Sequence, residues 1–321
     1  MEKFFSFPEQ LLAYLQCPSC KKGKFIIVAG NEPGLLCQSC KSCFPLIEAR
    51  YVTKDIFLTP SFHKQINSKG LKKSNYLKDG SEILLTSKKP GYSLSAEVVH
   101  EIVKEELPNQ GLILDSGCGN QGFKYKINNP RIIGTEYQYY ENAFYPINIL
   151  ENSENTAFKN ETFDFIISNF VLQSIYNQQL YVNELARILK KNGKIVLSTP
   201  SPRWYLAYFL SPSSHVKFLK DVIKNPFYFI ASPIKFFLKS HAHNYRELPE
   251  ELKSSNTLRA EIRQSKKEYY EGLFSKAGLR ISKMESSGNV FSLNTRYSFL
   301  GKLFKNRRLK KGIHYTYVLK K

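Results

Sequence analysis

Two features of this 321-residue chain could do chemistry directly. The first is a pair of cysteine turns, Cys17-Pro18-Ser19-Cys20 and Cys37-Gln38-Ser39-Cys40, with sixteen residues between them. A C-x2-C turn offers two thiolates to one ion. Two such turns complete a tetrahedral sulfur shell of the kind that holds zinc at about 2.3 Å. Cys17, Cys20, Cys37 and Cys40 are therefore the candidate metal ligands. Cys40-Lys41-Ser42-Cys43 repeats the spacing, but Cys37 and Cys40 keep the two pairs in equivalent turns and leave Cys43 spare. The second feature is Asp115-Ser116-Gly117-Cys118-Gly119-Asn120-Gln121-Gly122, directly after the apolar Leu112-Ile113-Leu114. Its glycines let backbone approach a ligand closely, with an acid placed where a strand would end. Gly117-x-Gly119-x-x-Gly122 alone could be misread as a dinucleotide fingerprint, so the elements that follow must decide.

Those elements alternate strand and helix. Near the cysteines, Lys24 to Val28 and Gly34 to Leu36 read as short strands joined by the Asn31-Glu32-Pro33-Gly34 turn, a zinc ribbon. Ser95 is the expected N-cap of a helix to about Leu107, with Val98, Val99, Ile102 and Val103 on one face. Residues 111–114 form a buried strand running into the glycine turn, the first βα unit of a nucleotide-type fold. Ile132-Ile133-Gly134-Thr135-Glu136 is a second strand ending in an acid suited to a ribose diol. Residues 161–169 form a further strand, Leu180 to Lys190 an amphipathic helix closed by Lys191-Asn192-Gly193, and Lys194 to Pro200 the next strand.

The stretch Leu11-Leu12-Ala13-Tyr14-Leu15-Gln16-Cys17-Pro18-Ser19-Cys20, followed by the second cysteine pair and Phe44-Pro45-Leu46-Ile47, resembles the small zinc-ribbon proteins that partner and activate RNA and release-factor methyltransferases. The series from 111 to 200 resembles the class I S-adenosylmethionine-dependent methyltransferases. It matches them at the Asp-x-Gly-x-Gly turn, the strand-two acid, Phe163-Asp164 and the Lys-Asn-Gly turn. Tyr269 to Ala277 with Gly278-Leu279-Arg280-Ile281 resembles the last helix and strand six, and Gly312 to Lys320 the antiparallel seventh strand. The resemblance implies an α/β, Rossmann-like seven-stranded sheet with S-adenosylmethionine as cofactor. It implies that Asp115, Gly117 and Gly119 flank the methionine moiety, Glu136 holds the ribose and Asn152 meets the adenine amine. Ser168 or Asn169 would line the floor beyond strand four. Gln121 replaces a usual glycine, Asn152 a usual Asp, and the segment from Gly122 to Arg131 is short for a full helix. A non-catalytic adaptor on this fold is therefore one alternative.

The acceptor is less constrained. No Asn/Asp-Pro-Pro-Tyr/Phe run follows strand four, and no cysteine lies near strands four or five, which disfavours exocyclic-amine and covalent cytosine methylation. Residues 201–261 are an aromatic insert with interleaved lysines, expected as helices over the substrate mouth. That pattern suits a lipid-linked acceptor or an anionic membrane surface. His241 and His243 end the insert and are the candidate general bases for an oxygen nucleophile. The run Lys302 to Lys311 adds six bases and no acid.

Net charge is +20, from 47 Lys and Arg against 27 Asp and Glu. Residues 262–321 carry fifteen bases against three acids, whereas residues 1–60 carry seven against five. The charge therefore points to an anionic partner near the substrate mouth and not to the ribbon as a nucleic-acid grip. The expected acceptor is a small molecule, glycan or lipid-linked group, with ribosomal or transfer RNA as the alternative. No charge-free apolar run of about 18 residues occurs, and the first residues lack a signal-peptide core. The expected location is cytoplasmic, with peripheral contact at the inner membrane face. The expected division is a ribbon at 1–58, a basic connector at 59–95, the cofactor domain at 96–200 and 262–321, and the insert at 201–261.

Overall fold

The structure is a computed structural model. It describes residues 9–28, 34–48, 55–58, 90–118, 131–136, 147–151, 153–175, 177–204, 264–288 and 312–321. In chain order the elements begin with α1 (Glu9–Leu12), β1 (Phe25–Val28), β2 (Gly34–Cys37), β3 (Cys43–Glu48), β4 (Asp55–Leu58) and α2 (Pro90–Glu106). They continue with β5 (Ile113–Ser116), β6 (Ile132–Glu136), β7 (Ile147–Leu150), β8 (Phe163–Asn169), α3 (Gln178–Ile188) and β9 (Leu189–Pro200). The chain closes with α4 (Lys267–Lys276), β10 (Arg280–Ser287) and β11 (His314–Lys320).

Seven strands lie in the order β7-β6-β5-β8-β9-β11-β10. Strands β5 to β9 run parallel, while β11 is antiparallel to both β9 and β10. This is the Rossmann-like sheet with a reversed last-entered strand that the sequence implied. The parallel strands read as continuous apolar runs because both faces are covered. One face carries Val98, Val99, Ile102 and Val103 of α2 against Ile113, Ile132, Phe165, Ile167, Val196 and Val318. The other carries Leu114, Ile133, Ile166, Leu197 and Tyr317 against α3 and α4.

Three boundaries differ from the sequence reading. Helix α2 starts at Pro90, so Ser95 lies inside it, and residues 90–95 belong to the helix and not to a connector. Proline suits a first helical position because its φ is already helical and its missing N–H would go unused there. Helix α3 begins at Gln178, capped by Asn177, whose side chain accepts from the Leu180 N–H at 3.1 Å. Strand β9 starts at Leu189, and its register slips between Phe163 and Phe165 to absorb the polar Lys190–Gly193 turn.

Three strands, β3, β4 and β7, were not read from the sequence at all. Strand β7 completes the sheet beside β6, and β4 pairs parallel with β7 through Ile56–Asn148, Phe57–Ile149 and Leu58–Leu150. Because β4 also pairs antiparallel with β3, the ribbon hairpins run on into the central sheet, which has eleven strands in all. The cysteine-bearing module is thus an extension of the cofactor fold. Leu11, Leu15, Cys17, Phe25, Leu35, Cys37 and Phe44 share one buried cluster with Phe158, Phe163 and Tyr181. Among the described residues no helix is long and apolar enough to cross a membrane.

Candidate functional site

Side-chain direction along the strands decides which residues can meet. Alternate residues share a face. In β5, Ile113 packs under α2, so Asp115 lies on that same face, and it is only 1% exposed. Asp115 pairs with Gly134, and Glu136 follows two residues on at the carboxyl end of β6. The two acids thus stand on adjacent strands, on one face, at the end where open parallel sheets bind ligands.

The turn after Asp115 is fixed by backbone. Gly117 adopts φ +70, and the N–H groups of Gly117 and Cys118 both donate to the Thr135 carbonyl, at 2.8 and 2.9 Å. A Cβ on Gly117 would land in the Val171 side chain, so only glycine lets this turn pass so close to the chain leaving β8. Beneath the turn, Tyr181 of α3 bridges two serines, with its hydroxyl 3.0 Å from Ser116 Oγ and 2.8 Å from Ser168 Oγ. Burial pushes the Tyr181 phenol up to about 12, so it stays neutral. Ser168 is fully buried on the face opposite Asp115, whereas Asn169 lies on the Asp115 face. Asn169 is thus the one of the two that shares a face with the acids. Gly119, Asn152, His241 and His243 lie outside the described residues.

The segment after β7 was expected to meet the adenine. Here the ribbon holds it from behind. The Gln16 N–H donates to the Ala157 carbonyl at 2.8 Å, and the Lys159 N–H to Tyr14 at 2.9 Å. Lys21 Nζ reaches the Thr156 carbonyl at 3.1 Å, and Asn155 Nδ2 reaches that of Pro18 at 3.3 Å. Phe158 packs edge-on against Phe163 at 4.7 Å and bridges Leu15.

Two carboxylates sit inside this joint. Glu184 accepts from Thr156 N and Oγ1 at 2.7 and 2.9 Å and from Arg187 Nε and Nη2 at 2.7 Å each. Burial would raise its carboxyl, but the Arg187 hydrogen bonds and charge bring it below the ordinary value. Glu151, beside Asn152, has no such cation in contact. Its Oε2 accepts from the Ala157 N–H at 3.0 Å, and its Oε1 has no hydrogen-bond partner among the described residues. Burial pushes Glu151 up to about 8, so at neutral pH it is held protonated. Sequence reading named Asn152 and passed over this neighbour, because an acid next to polar residues gives no sign of burial.

In the ribbon, the Sγ atoms of Cys17, Cys20, Cys37 and Cys40 all lie within 4.8 Å of one another. Cys17 and Cys40 are 3.5 Å apart, and Cys20 and Cys37 3.7 Å. Four thiolates at 2.3 Å from a shared ion would stand about 3.8 Å apart, so the spacing suits one tetrahedral ion. Gly23 makes room for it, since a Cβ there would collide with Cys37 Sγ. Cys43 is exposed on β3 and lies outside the cluster, as expected of a spare. A separate cavity of about 550 Å³, lined by Pro108, Asp164, Lys190 and Gly193, opens at the amino end of β8, away from the acids.

A family model described as "Methyltransferase domain" matches residues 91–253, just over half of the chain. The chain belongs to this methyltransferase family. A search of curated proteins finds no match. Solved structures with a similar fold include a protein of Pyrococcus horikoshii OT3, at 14% identity over 78% of this chain and 99% of that one, TM-score 0.43. Another is a Thermotoga maritima S-adenosylmethionine-dependent methyltransferase, at 16% identity over 77% and 97%, TM-score 0.44. A third is from the Haloferax volcanii complex of the Trm112 methyltransferase activator with a methyltransferase, at 14% identity over 70% and 87%, TM-score 0.42. The methyltransferase uses S-adenosylmethionine, which supplies an electrophilic methyl on a sulfonium. The buried acid, the half-exposed acid and the positive-φ glycine turn at one sheet edge fit an amino-acid and ribose ligand of that kind.

Proposed function

We propose that this methyltransferase holds S-adenosylmethionine with Asp115, Gly117, Gly119, Glu136, Asn152 and Asn169, and passes its methyl to a small-molecule, glycan or lipid-linked acceptor. The observation that carries the reading is the placement of Asp115 and Glu136 on one face at the carboxyl ends of β5 and β6, flanking a turn that only glycine can make. Asp115 and the Gly117 and Gly119 backbone receive the methionine end. Glu136 accepts from the ribose hydroxyls, and Asn152 accepts from the adenine amine. Such transfer is an in-line displacement, accelerated mainly by alignment, so the chain's task is to fix two partners and exclude water.

The ribbon's part follows from its contacts. We infer that zinc, held by Cys17, Cys20, Cys37 and Cys40, fixes the Cys17–Lys21 turn that braces the loop from Glu151 to Lys159. The net charge of +20, concentrated in residues 262–321, favours an acceptor that is anionic away from its reacting atom, including one seated on a membrane surface. Location at the cytoplasmic face of a membrane is part of the same reading.

Isothermal titration with S-adenosylhomocysteine tests it. Asp115→Ala and Glu136→Ala are each expected to weaken binding by at least tenfold while circular dichroism stays native. Unchanged affinity in both would remove the proposed site. Absence of binding by the wild-type protein would favour the adaptor alternative.

A further inference from the structure

The acids occupy the carboxyl edge of the α2-side sheet face on β5 and β6, and a second layer of side chains continues that edge on β8, β9 and β11. Asn169, Ser198 and Thr316 stand abreast on β8, β9 and β11, because Asn169 pairs with Ser198 and Ser198 with Thr316. Ser198 Oγ donates to Asn169 Oδ1 at 2.5 Å. Thr316 is 1% exposed, and its Oγ1 has no hydrogen-bond partner among the described residues. Two residues earlier on β11, His314 lies on the same face, paired with Pro200 and Ser287 at the carboxyl end of the parallel strands.

The His314 ring meets the edge of Phe170, with centroids 4.6 Å apart and planes at 80°. Phe170 is held at φ +57, a strained conformation that an aromatic residue rarely adopts. Its N–H donates to Ser198 Oγ and to the Ser198 carbonyl at 3.2 and 3.1 Å, and Gln173 Nε2 donates to its carbonyl at 2.5 Å. The next residue, Val171, is the one that abuts Gly117. One pinned turn therefore connects the cofactor glycine to His314.

We propose that this layer is the acceptor end of the site and receives a neutral hydroxyl as the methylated group, with His314 accepting that hydroxyl's hydrogen bond. The inference rests on the cofactor reading above. Asn169, Ser198 and Thr316 are uncharged, burial holds the imidazole neutral by drawing His314 down to about 3, and Glu285, abreast of Thr316 on β10, is paired with Lys283 at 3.0 Å. Among the described residues beside this spot, Glu285 and Lys283 already meet each other, so an ammonium or carboxylate there would lose its hydration with no unpaired opposite charge to replace it. A hydroxyl can donate to the imidazole and accept from Thr316. In the transfer, the hydroxyl oxygen bonds the methyl carbon, and the carbon–sulfur bond breaks with its pair going to sulfur. The neutral imidazole orients the hydroxyl through that hydrogen bond, and the hydroxyl proton is released to water as the oxygen gains the methyl, which removes the positive charge the sulfonium brought.

The test uses full-length protein with 15N-labelled histidine at pH 7, loaded with S-adenosylhomocysteine and titrated with phenol, benzylamine or benzoate. These single rings carry a neutral hydroxyl, a cation and an anion. Phenol is expected to shift the His314 ring resonances saturably, the signal being assigned by its loss in His314→Asn. Benzylamine and benzoate at equal concentration are expected to leave it in place. The isosteric Thr316→Val is expected to weaken phenol binding at least fivefold with unchanged S-adenosylhomocysteine affinity. A signal moved equally by either charged ring, or unmoved by phenol in protein that binds S-adenosylhomocysteine, overturns the proposal. Failure to bind S-adenosylhomocysteine at all overturns the cofactor reading and this proposal together, which distinguishes the two failures.

Discussion

Replacing Glu151 with Gln should make the protein more stable, and increasingly so as the pH rises. The wild-type carboxyl is buried beside the cofactor loop with one hydrogen bond, to the Ala157 N–H. Burial is the main cause of its raised value, and the charge of Glu184 adds to it. The Ala157 hydrogen bond and the charges of Lys21 and Arg187 pull the other way. The folded value of about 8 lies above the ordinary glutamate value of 4.5. Between these limits the folded protein keeps a proton that the unfolded chain releases, so stability falls as pH rises through the window. At about 1.4 kcal/mol per pH unit, the cost is about 1 kcal/mol at pH 5, about 3 at pH 7 and about 5 above pH 8. Gln is nearly isosteric, can still accept from Ala157, and does not titrate. Its stability relative to wild type should therefore climb by about 4 kcal/mol from pH 5 to pH 9, read from urea unfolding by circular dichroism. Any fixed difference in amide packing offsets both curves equally, so the slope is the test. Parallel curves across that range would refute the assignment of Glu151 as a protonated buried acid.

Two further outcomes are expected. Chelation should remove one zinc per chain, measured by atomic emission, and should weaken S-adenosylhomocysteine binding because the Cys17–Lys21 turn no longer braces Thr156 and Ala157. Full affinity in metal-free protein would show that the ribbon does not support the loop. Tyr181→Phe should lower stability by about 1–3 kcal/mol in thermal unfolding, since it leaves two buried serine hydroxyls short of a partner. A neutral result would mean that Ser116 and Ser168 find other partners.

The sheet was readable because its strands are apolar and short and are separated by polar turns, as at Phe163–Asn169 and Lys194 to Pro200. The cysteine spacing was equally plain, since two thiolate pairs in matched turns have few other uses. Strands β4 and β7 left no such trace. Each is four residues long, and Asp55-Ile56-Phe57-Leu58 looks like a tail when its pairing partner lies some ninety residues later. Long-range parallel pairing is a property of the assembled sheet and not of a local period. For the same reason the sequence could rank His241 and His243 above His314. A single histidine at the head of an aromatic strand reads as filler until the register of the reversed β11 against β9 sets its first residue at the carboxyl edge beside Phe170.

That reversal also bears on the excess charge. Residues 262–321 hold fifteen bases and three acids, yet among the described residues of this segment the side chains on the α2-side face near the mouth are Glu285, Ser287, His314 and Thr316, none of them a base free to meet an anion. The positive charge described on β10 and β11 is placed differently. Lys283 is paired with Glu105 and Glu285, while Lys320 and Lys321 sit at the opposite end of β11, where Lys321 reaches Glu161. A cationic field of this size acts over about 8–10 Å in physiological salt, so it can draw in an anionic acceptor without touching the reacting atom. Attraction and chemistry would then be carried by different groups. The basic surface would set how often the acceptor arrives, and a neutral, dehydrated layer would set which of its atoms can stand opposite the methyl group.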